Sequence, residues 1–201
     1  MSKINFFCDI DGLVIDSLST LCNIYNARNP DKNVTPSDIK TWNCAEAFIG
    51  YTSDDIESMF SSDEFWEVVR VYSGIYNILY RLHRTDKFNV IFTSIGSSEN
   101  IANKTKFLKR EFPFVENHIL LVKNAGCFPG KQIVDMSNGI IADDSQTNLS
   151  TSNAKYKVMV KFDGDKQWNS EWPTNESVVH NPEELYQEIM ACWKLENREG
   201  K

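Results

Sequence analysis

An α/β fold, with a parallel sheet and a small helical insert after its first strand, is what this sequence predicts, on three observations. Short apolar runs of strand length recur along the chain, separated by segments whose apolar residues fall three and four apart. Such alternation calls for parallel strands joined by right-handed helical crossovers. One stretch, residues 30 to 70, breaks the pattern with prolines, short helix starts and clustered aromatics. The 201 residues suit one large domain or a core with an insert, and 41% hydrophobic residues are enough for a substantial core.

The elements follow in order. Ile4 to Cys8 is a nearly continuous apolar run, as expected of a strand buried on both faces. Asp16 or Ser17 can cap a helix carrying Leu18, Leu21, Cys22 and Tyr25. In the insert, helix starts are expected at Thr35-Pro36-Ser37-Asp38 and Thr52-Ser53-Asp54-Asp55, among Trp42, Phe48, Tyr51, Phe60, Phe65 and Trp66. The division is therefore 1–17 and 73–201 for the core and 18–72 for the insert. From Ser73 a helix presents Ile75, Ile78, Leu79 and Leu82. A strand at Asn89–Phe92 stops at Thr93-Ser94, and a polar, basic helix runs to about Phe112. A third strand is expected at Ile119–Val122, then a loop with Gly126, Pro129 and Gly130 before Lys131. The fourth, Gly139–Ala142, ends on Asp143-Asp144; the fifth runs Tyr156–Phe162; a closing helix spans roughly Pro182 to Trp193.

Charge and composition exclude several classes. A net charge of −7 argues against nucleic-acid polymers and anionic membranes, while leaving room for a local basic pocket around one phosphate. No apolar run approaches the about 18 residues of a membrane span. The N-terminus shows no signal-peptide pattern, so a cytoplasmic location is expected. Five scattered cysteines without a C-x-x-C read as free thiols, and with three scattered histidines they make no zinc site.

Three strands end in candidate chemistry: Asp9 and Asp11 after the first, Thr93 and Ser94 after the second, Asp143 and Asp144 after the fourth. Ligands of such sheets sit outside the carboxyl ends of the strands. Carboxylates gathered there repel unless a cation joins them, and hard oxygen ligands suit Mg²⁺ with a substrate phosphate beside it. Gly12 lets the chain leave the strand sharply. Taken singly, each motif has an ordinary structural reading: Asp-x-Asp-Gly as a turn, Thr93-Ser94 as a helix cap, Lys131 as a solvated loop lysine. Their joint occurrence, each beside an apolar strand, lifts them above it. The Asp163-Gly164-Asp165 doublet lacks such partners and reads as a turn. No P-loop and no G-x-G-x-x-G occurs.

Phe7-Cys8-Asp9-Ile10-Asp11-Gly12-Leu13-Val14 resembles the first motif of the haloacid dehalogenase (HAD) superfamily, and Ile91-Phe92-Thr93-Ser94 its second. Lys131 resembles the third and Ile140-Ile141-Ala142-Asp143-Asp144 the fourth. Order and spacing are most similar to the 5′(3′)-deoxyribonucleotidase family, from Ile4 to about Asn169, including Trp168-Asn169 after the last strand. The resemblance implies a Rossmann-like core with a small helical cap. It implies Asp9 as nucleophile forming a phospho-aspartate, and Asp11 as acid and then base. Mg²⁺ would sit on Asp9, the Asp11 carbonyl and Asp144, with Asp143 bound directly or one step removed. Thr93, Ser94 and Lys131 would hold phosphoryl oxygens, and Lys104 would face substrate. Departures lie on the nucleobase side: Ser17 stands where the family places an aromatic, Thr41-Trp42 matches its Phe-Trp pair only in part, and Ser97 replaces a lysine. Trp42 remains the candidate for stacking on a base.

The expected activity is Mg²⁺-dependent hydrolysis of (deoxy)nucleoside monophosphates, a phosphoric monoester hydrolase acting on a small molecule. The alternatives are another small phosphomonoester (a phosphosugar or a 3′-phosphate end), or a non-catalytic binding module on the same fold. No nucleic-acid polymer or membrane partner is expected, and a homodimer is compatible with the reading. Base, sugar and 5′ versus 3′ phosphate stay open in the sequence.

Overall fold

In the computed structural model, which describes residues 3–123, 130–173 and 175–199, six strands form one sheet. They are β1 (Ile4–Asp9), β2 (Phe88–Gly96), β3 (Asn117–Val122), β4 (Gly139–Asp143), β5 (Tyr156–Val160) and β6 (Val178–Val179). Their spatial order is β3-β2-β1-β4-β5-β6, and every neighbouring pair is parallel. β1 is buried along its length, with Phe6 and Cys8 in the larger core on one face and Phe7 in a smaller one on the other. That split follows from the two-residue period of a strand.

Several boundaries differ from the sequence expectation. β2 runs on to Gly96, because Ser94–Gly96 pair with Leu120–Val122 of β3 beyond the end of β1. β4 takes in Asp143, which pairs with Met159. β5 ends at Val160, two residues early, and β6 is an unexpected two-residue strand paired with Met159 and Val160. The expected loop at 126–129 lies outside the described residues, as does Cys127.

Between β1 and β2 the insert carries α1 (Ser17–Arg28), two short 3-10 turns (Pro36–Asp38 and Cys44–Ala47), α2 (Ser53–Ser61) and α3 (Asp63–Val68). Asp16, the last residue before α1, caps it by accepting the Ser19 amide at 3.0 Å. Thr52 caps α2, with Asp55 reciprocating on the Thr52 amide at 2.8 Å. The insert closes at its base: Ile15 bridges Val71 antiparallel, the Asp16 amide donates to the Arg70 carbonyl at 2.9 Å, and the Tyr72 amide donates to the Val14 carbonyl at 3.0 Å. Phe48 and Phe65 are fully buried and share one core with Phe6 and Cys8, so the insert packs as part of the same body. Each such burial contributes roughly 1.5–3 kcal/mol.

The remaining helices are α4 (Ile75–Arg84), α5 (Ser98–Glu111), α6 (Gln146–Thr151) and α7 (Pro182–Glu199). α4 buries Ile75, Ile78, Leu79 and Leu82 as the spacing requires. It starts after Gly74 rather than at Ser73, and α7 continues six residues past Trp193 to Glu199. No helix among the described residues is long and apolar enough to cross a membrane.

Candidate active site

Strand register assembles the site. Asp9 lies opposite Thr93 on β2, and Cys8 lies opposite Ala142 on β4, so Asp143 comes level with the end of β1. Lys131, in a 3-10 turn at Lys131–Ile133, is only 2% exposed. Its Nζ donates to Asp9 Oδ1 and to Asp143 Oδ2, each at 2.5 Å. A solvated loop lysine is thereby ruled out. Asp143 is held further by the Ser145 amide at 2.9 Å and by Asn148 Nδ2 at 3.1 and 3.2 Å from its two oxygens. Ser145 caps α6, so one short helix start both ends the loop and fixes the carboxylate.

Asp144 completes the group. One oxygen each from Asp9, Asp143 and Asp144 lie within 4.8 Å of one another. Three carboxylates share one buried ammonium, which leaves an excess of negative charge in a poorly solvated place. Burial pushes the Asp9 carboxyl up to about 7; Asp143 and Asp11 push the same way and Lys131 only partly offsets them. Asp144 is raised by burial and then by Asp9 and Asp143. Burial lowers Lys131, but its two carboxylate partners outweigh that and hold it above the ordinary lysine value.

The residues fit a hard divalent cation. The donor set is all carboxylate oxygen, and it is electrostatically incomplete without a positive charge. Gly12, at φ +72°, makes room for the third carboxylate, since a Cβ there would stand 2.5 Å from Asp144 Oδ2. Asp11 Oδ1 is a buried oxygen with no hydrogen-bond partner.

A second cluster adjoins the first. Lys104 projects from α5, 2% exposed, and its Nζ donates to the Asp11 carboxylate and to Ser94 Oγ, the latter at 2.6 Å. Ser94 Oγ lies 3.3 Å from Asp11 Oδ2. Asp11 keeps a third of its side-chain surface open, unlike Asp9 and Asp143. Strand alternation sets Thr93 opposite to Ser94 and on the face of its register partner Asp9, and its hydroxyl donates to the Cys8 carbonyl at 3.4 Å.

Two sequence candidates stand apart from this group. Ser17 is buried in the first turn of α1. Trp42 is 66% exposed, which excludes it from the core of the insert. Its ring meets the edge of Trp168 at 5.5 Å between centroids, and Trp168 Nε1–H donates to Asp144 Oδ2 at 2.9 Å. Asn148 and Trp168 were given no role by sequence reasoning. Asn148 carries a weak signal, being polar in the first turn of the helix that follows the Asp-Asp pair; Trp168 carries none beyond its place after the last long strand.

No family model matches the chain, and no curated protein matches it in sequence. Solved structures do match in fold. A phosphatase-described structure from Clostridium acetobutylicum superposes with a TM-score of 0.65 at 13% identity, over 95% of this chain and 100% of the other. A haloacid dehalogenase-like protein of Agrobacterium tumefaciens gives 0.60 at 15% identity, over 95% and 99%. The chain has the haloacid dehalogenase fold. The HAD-hydrolase YfnB of Bacillus subtilis, bound to magnesium, matches at 0.57 with 12% identity, over 94% and 99%. At these identities the likeness extends to the HAD fold, and the chemistry rests on the side chains just described.

Proposed function

We propose that this chain is a Mg²⁺-dependent phosphomonoesterase of nucleoside monophosphates, with residues 18–72 acting as its cap. The observation that carries the reading is convergence: a buried lysine bridges Asp9 and Asp143, while the adjacent, partly open Asp11 pairs with a second buried lysine. Phosphoryl transfer asks for those parts, namely charge neutralisation, an in-line nucleophile and an acid for the leaving oxygen.

In the first step an Asp9 carboxylate oxygen forms a bond to phosphorus and the ester P–O bond breaks. The leaving oxygen takes its proton from Asp11, whose open side faces solvent. In the second step water attacks phosphorus and gives a proton back to Asp11. The bond to Asp9 then breaks, releasing inorganic phosphate and restoring the carboxylate. Dividing one hard displacement into two is the gain of covalent catalysis. Asp9, the Asp11 carbonyl and Asp144 would hold Mg²⁺, which would supply charge neutralisation for the transferring group. Asp143, whose oxygens accept from Lys131, Ser145 and Asn148, fixes Lys131 and would reach the cation directly or one step removed. Thr93, Ser94 and Lys131 hold phosphoryl oxygens, and Lys104 faces the substrate beside Asp11.

Exposure of a tryptophan at the rim supports the nucleotide part of the reading, since Trp42 meets Trp168 only edge to face and leaves open surface on which a nucleobase can stack. A panel of 5′- and 3′-nucleotides, sugar phosphates and an aryl phosphate, each with Mg²⁺ and read as released phosphate, tests it. Nucleotides are expected to lead the panel. A preference for sugar phosphates would replace the substrate while keeping the chemistry; no release from any substrate would favour a binding module.

A further inference from the structure

Asp144 is held without a lysine, unlike its neighbours. Asp9 and Asp143 share Lys131, and Asp143 has two further donors, whereas Asp144 accepts the indole N–H of Trp168 on Oδ2. That indole is itself fixed from several sides. The Trp168 carbonyl accepts the Gln146 amide at 2.8 Å, at the start of α6. The Gln167 amide donates to the Lys40 carbonyl at 3.0 Å, and Lys166 Nζ, almost fully buried, donates to the carbonyls of Pro36 at 2.6 Å and Ile39 at 3.1 Å. The Trp42 ring meets its edge at 84°. Beside it, Gly12, Asp144, Trp168 and Asn169 border a cavity of about 10 Å³, space for about one water.

We infer that Trp168 is a positioning residue for the divalent cation. Its N–H occupies one oxygen of Asp144 and fixes the rotation of the carboxylate, which leaves the other oxygen aimed for metal. Partners that orient a metal-binding side chain typically change metal affinity by about 10–100-fold when removed. The arrangement also ties the metal site to the insert, because the loop that carries Trp168 is bonded to the segment from Pro36 to Trp42. The inference rests on Asp144 being a metal-binding carboxylate, as proposed above.

The test is calorimetric titration of the metal-free protein with Mg²⁺, comparing wild type with Trp168→Phe. Phenylalanine keeps an aromatic body and loses the donor. The variant is expected to bind Mg²⁺ about tenfold more weakly, and its kcat is expected to recover at saturating Mg²⁺, which a general packing defect would not allow. Affinities equal within twofold overturn the inference and leave the proposed function standing. No binding by the wild type overturns both. Should the variant not fold, the wild type decides by NMR. The Trp168 indole ¹H–¹⁵N resonance is expected to shift on adding Mg²⁺, with the calorimetric midpoint, and a resonance that stays in place overturns the inference.

Discussion

The floor of the site and its rim are built by opposite means. At the floor, Asp9, Asp143 and Lys131 are almost fully buried and the lysine is bonded to both carboxylates, so their positions follow from strand register. At the rim, Trp42 is largely exposed and sits on an irregular segment between two 3-10 turns. A second cavity, of about 250 Å³, lies along that segment, bordered by Asp38, Lys40, Thr41 and Glu46 among others. The contrast separates two demands. A phosphoryl group is the same in every substrate and rewards a rigid, buried, charged frame. On the proposed function the remainder of the substrate varies, and Trp42, which would meet it, sits where replacement disturbs little else.

The comparison can be broken most severely at Asp9. Asp9→Asn keeps size and hydrogen bonding but loses the nucleophilic charge, so kcat is expected to fall by roughly a thousandfold or more with the circular dichroism unchanged. A variant that retains a tenth of wild-type turnover would remove Asp9 from the chemistry. Lys131→Met comes next and strikes stability as well as rate. Taking one partner from a buried ion-paired group leaves uncompensated charge, at a loss of about 3–5 kcal/mol. Denaturant unfolding in EDTA should show that loss; an unchanged midpoint would mean the floor does not depend on its lysine.

At the rim the effect should be smaller and selective. Stacking of a base on an aromatic is worth about 1–3 kcal/mol, so Trp42→Ala is expected to lower kcat/KM for nucleotides roughly 5- to 150-fold. An aryl phosphate should be hydrolysed almost as before, and the melting temperature should hold, since the side chain is exposed. Equal losses on both substrates would place Trp42 in the common machinery.

The mildest probe is pH. In the metal-free protein the Asp9 carboxyl sits at about 7, above the ordinary aspartate value, because burial disfavours its charge. Between those two values the native state holds a proton that the unfolded chain has released. Stability in EDTA is therefore expected to fall as pH rises from about 4 to 7 and to level off above. Mg²⁺ reverses the sign by favouring the ionised form, so its affinity should weaken as pH drops below 7. Thermal melts across pH 5–8, with and without Mg²⁺, check both; a flat profile in EDTA would mean that Asp9 ionises as readily in the fold as in the open chain.

Much of the floor was legible in the sequence and little of the rim was. Asp9, Asp143 and their flanking apolar runs declare themselves, because a carboxylate at the end of a doubly buried strand is costly unless a cation or a donor meets it. Burial of Lys131 was not legible from its own surroundings; a loop lysine becomes an interior one only through two carboxylates brought by other strands. The extension of β2 depends on pairing with β3, and β6 is too short to leave a pattern. Trp42 and Trp66 look alike in sequence, yet Trp66 is nearly buried among other rings while Trp42 is open. What separates them is the tertiary neighbourhood, which local spacing does not encode. The bond from Trp168 was hidden for the same reason, its partner lying 24 residues away at Asp144.

The paired bonds between residues 14–16 and 70–72 bear on how such a chain can change over generations. Because both ends of the insert are held side by side, residues added to its exposed stretches enter the folding free energy chiefly through loop closure, while its buried rings remain part of the common core. That term grows with the logarithm of chain length, about 0.6 kcal/mol for each doubling. Residues gained or lost in the exposed stretch between the two 3-10 turns thus barely tax the sheet, provided Ile15 and Val71 still meet and the buried rings such as Phe48 and Phe65 keep their places. On the proposed function, the exposed stretch that would meet the variable part of a substrate is free to change length, while the buried carboxylate and lysine frame is not.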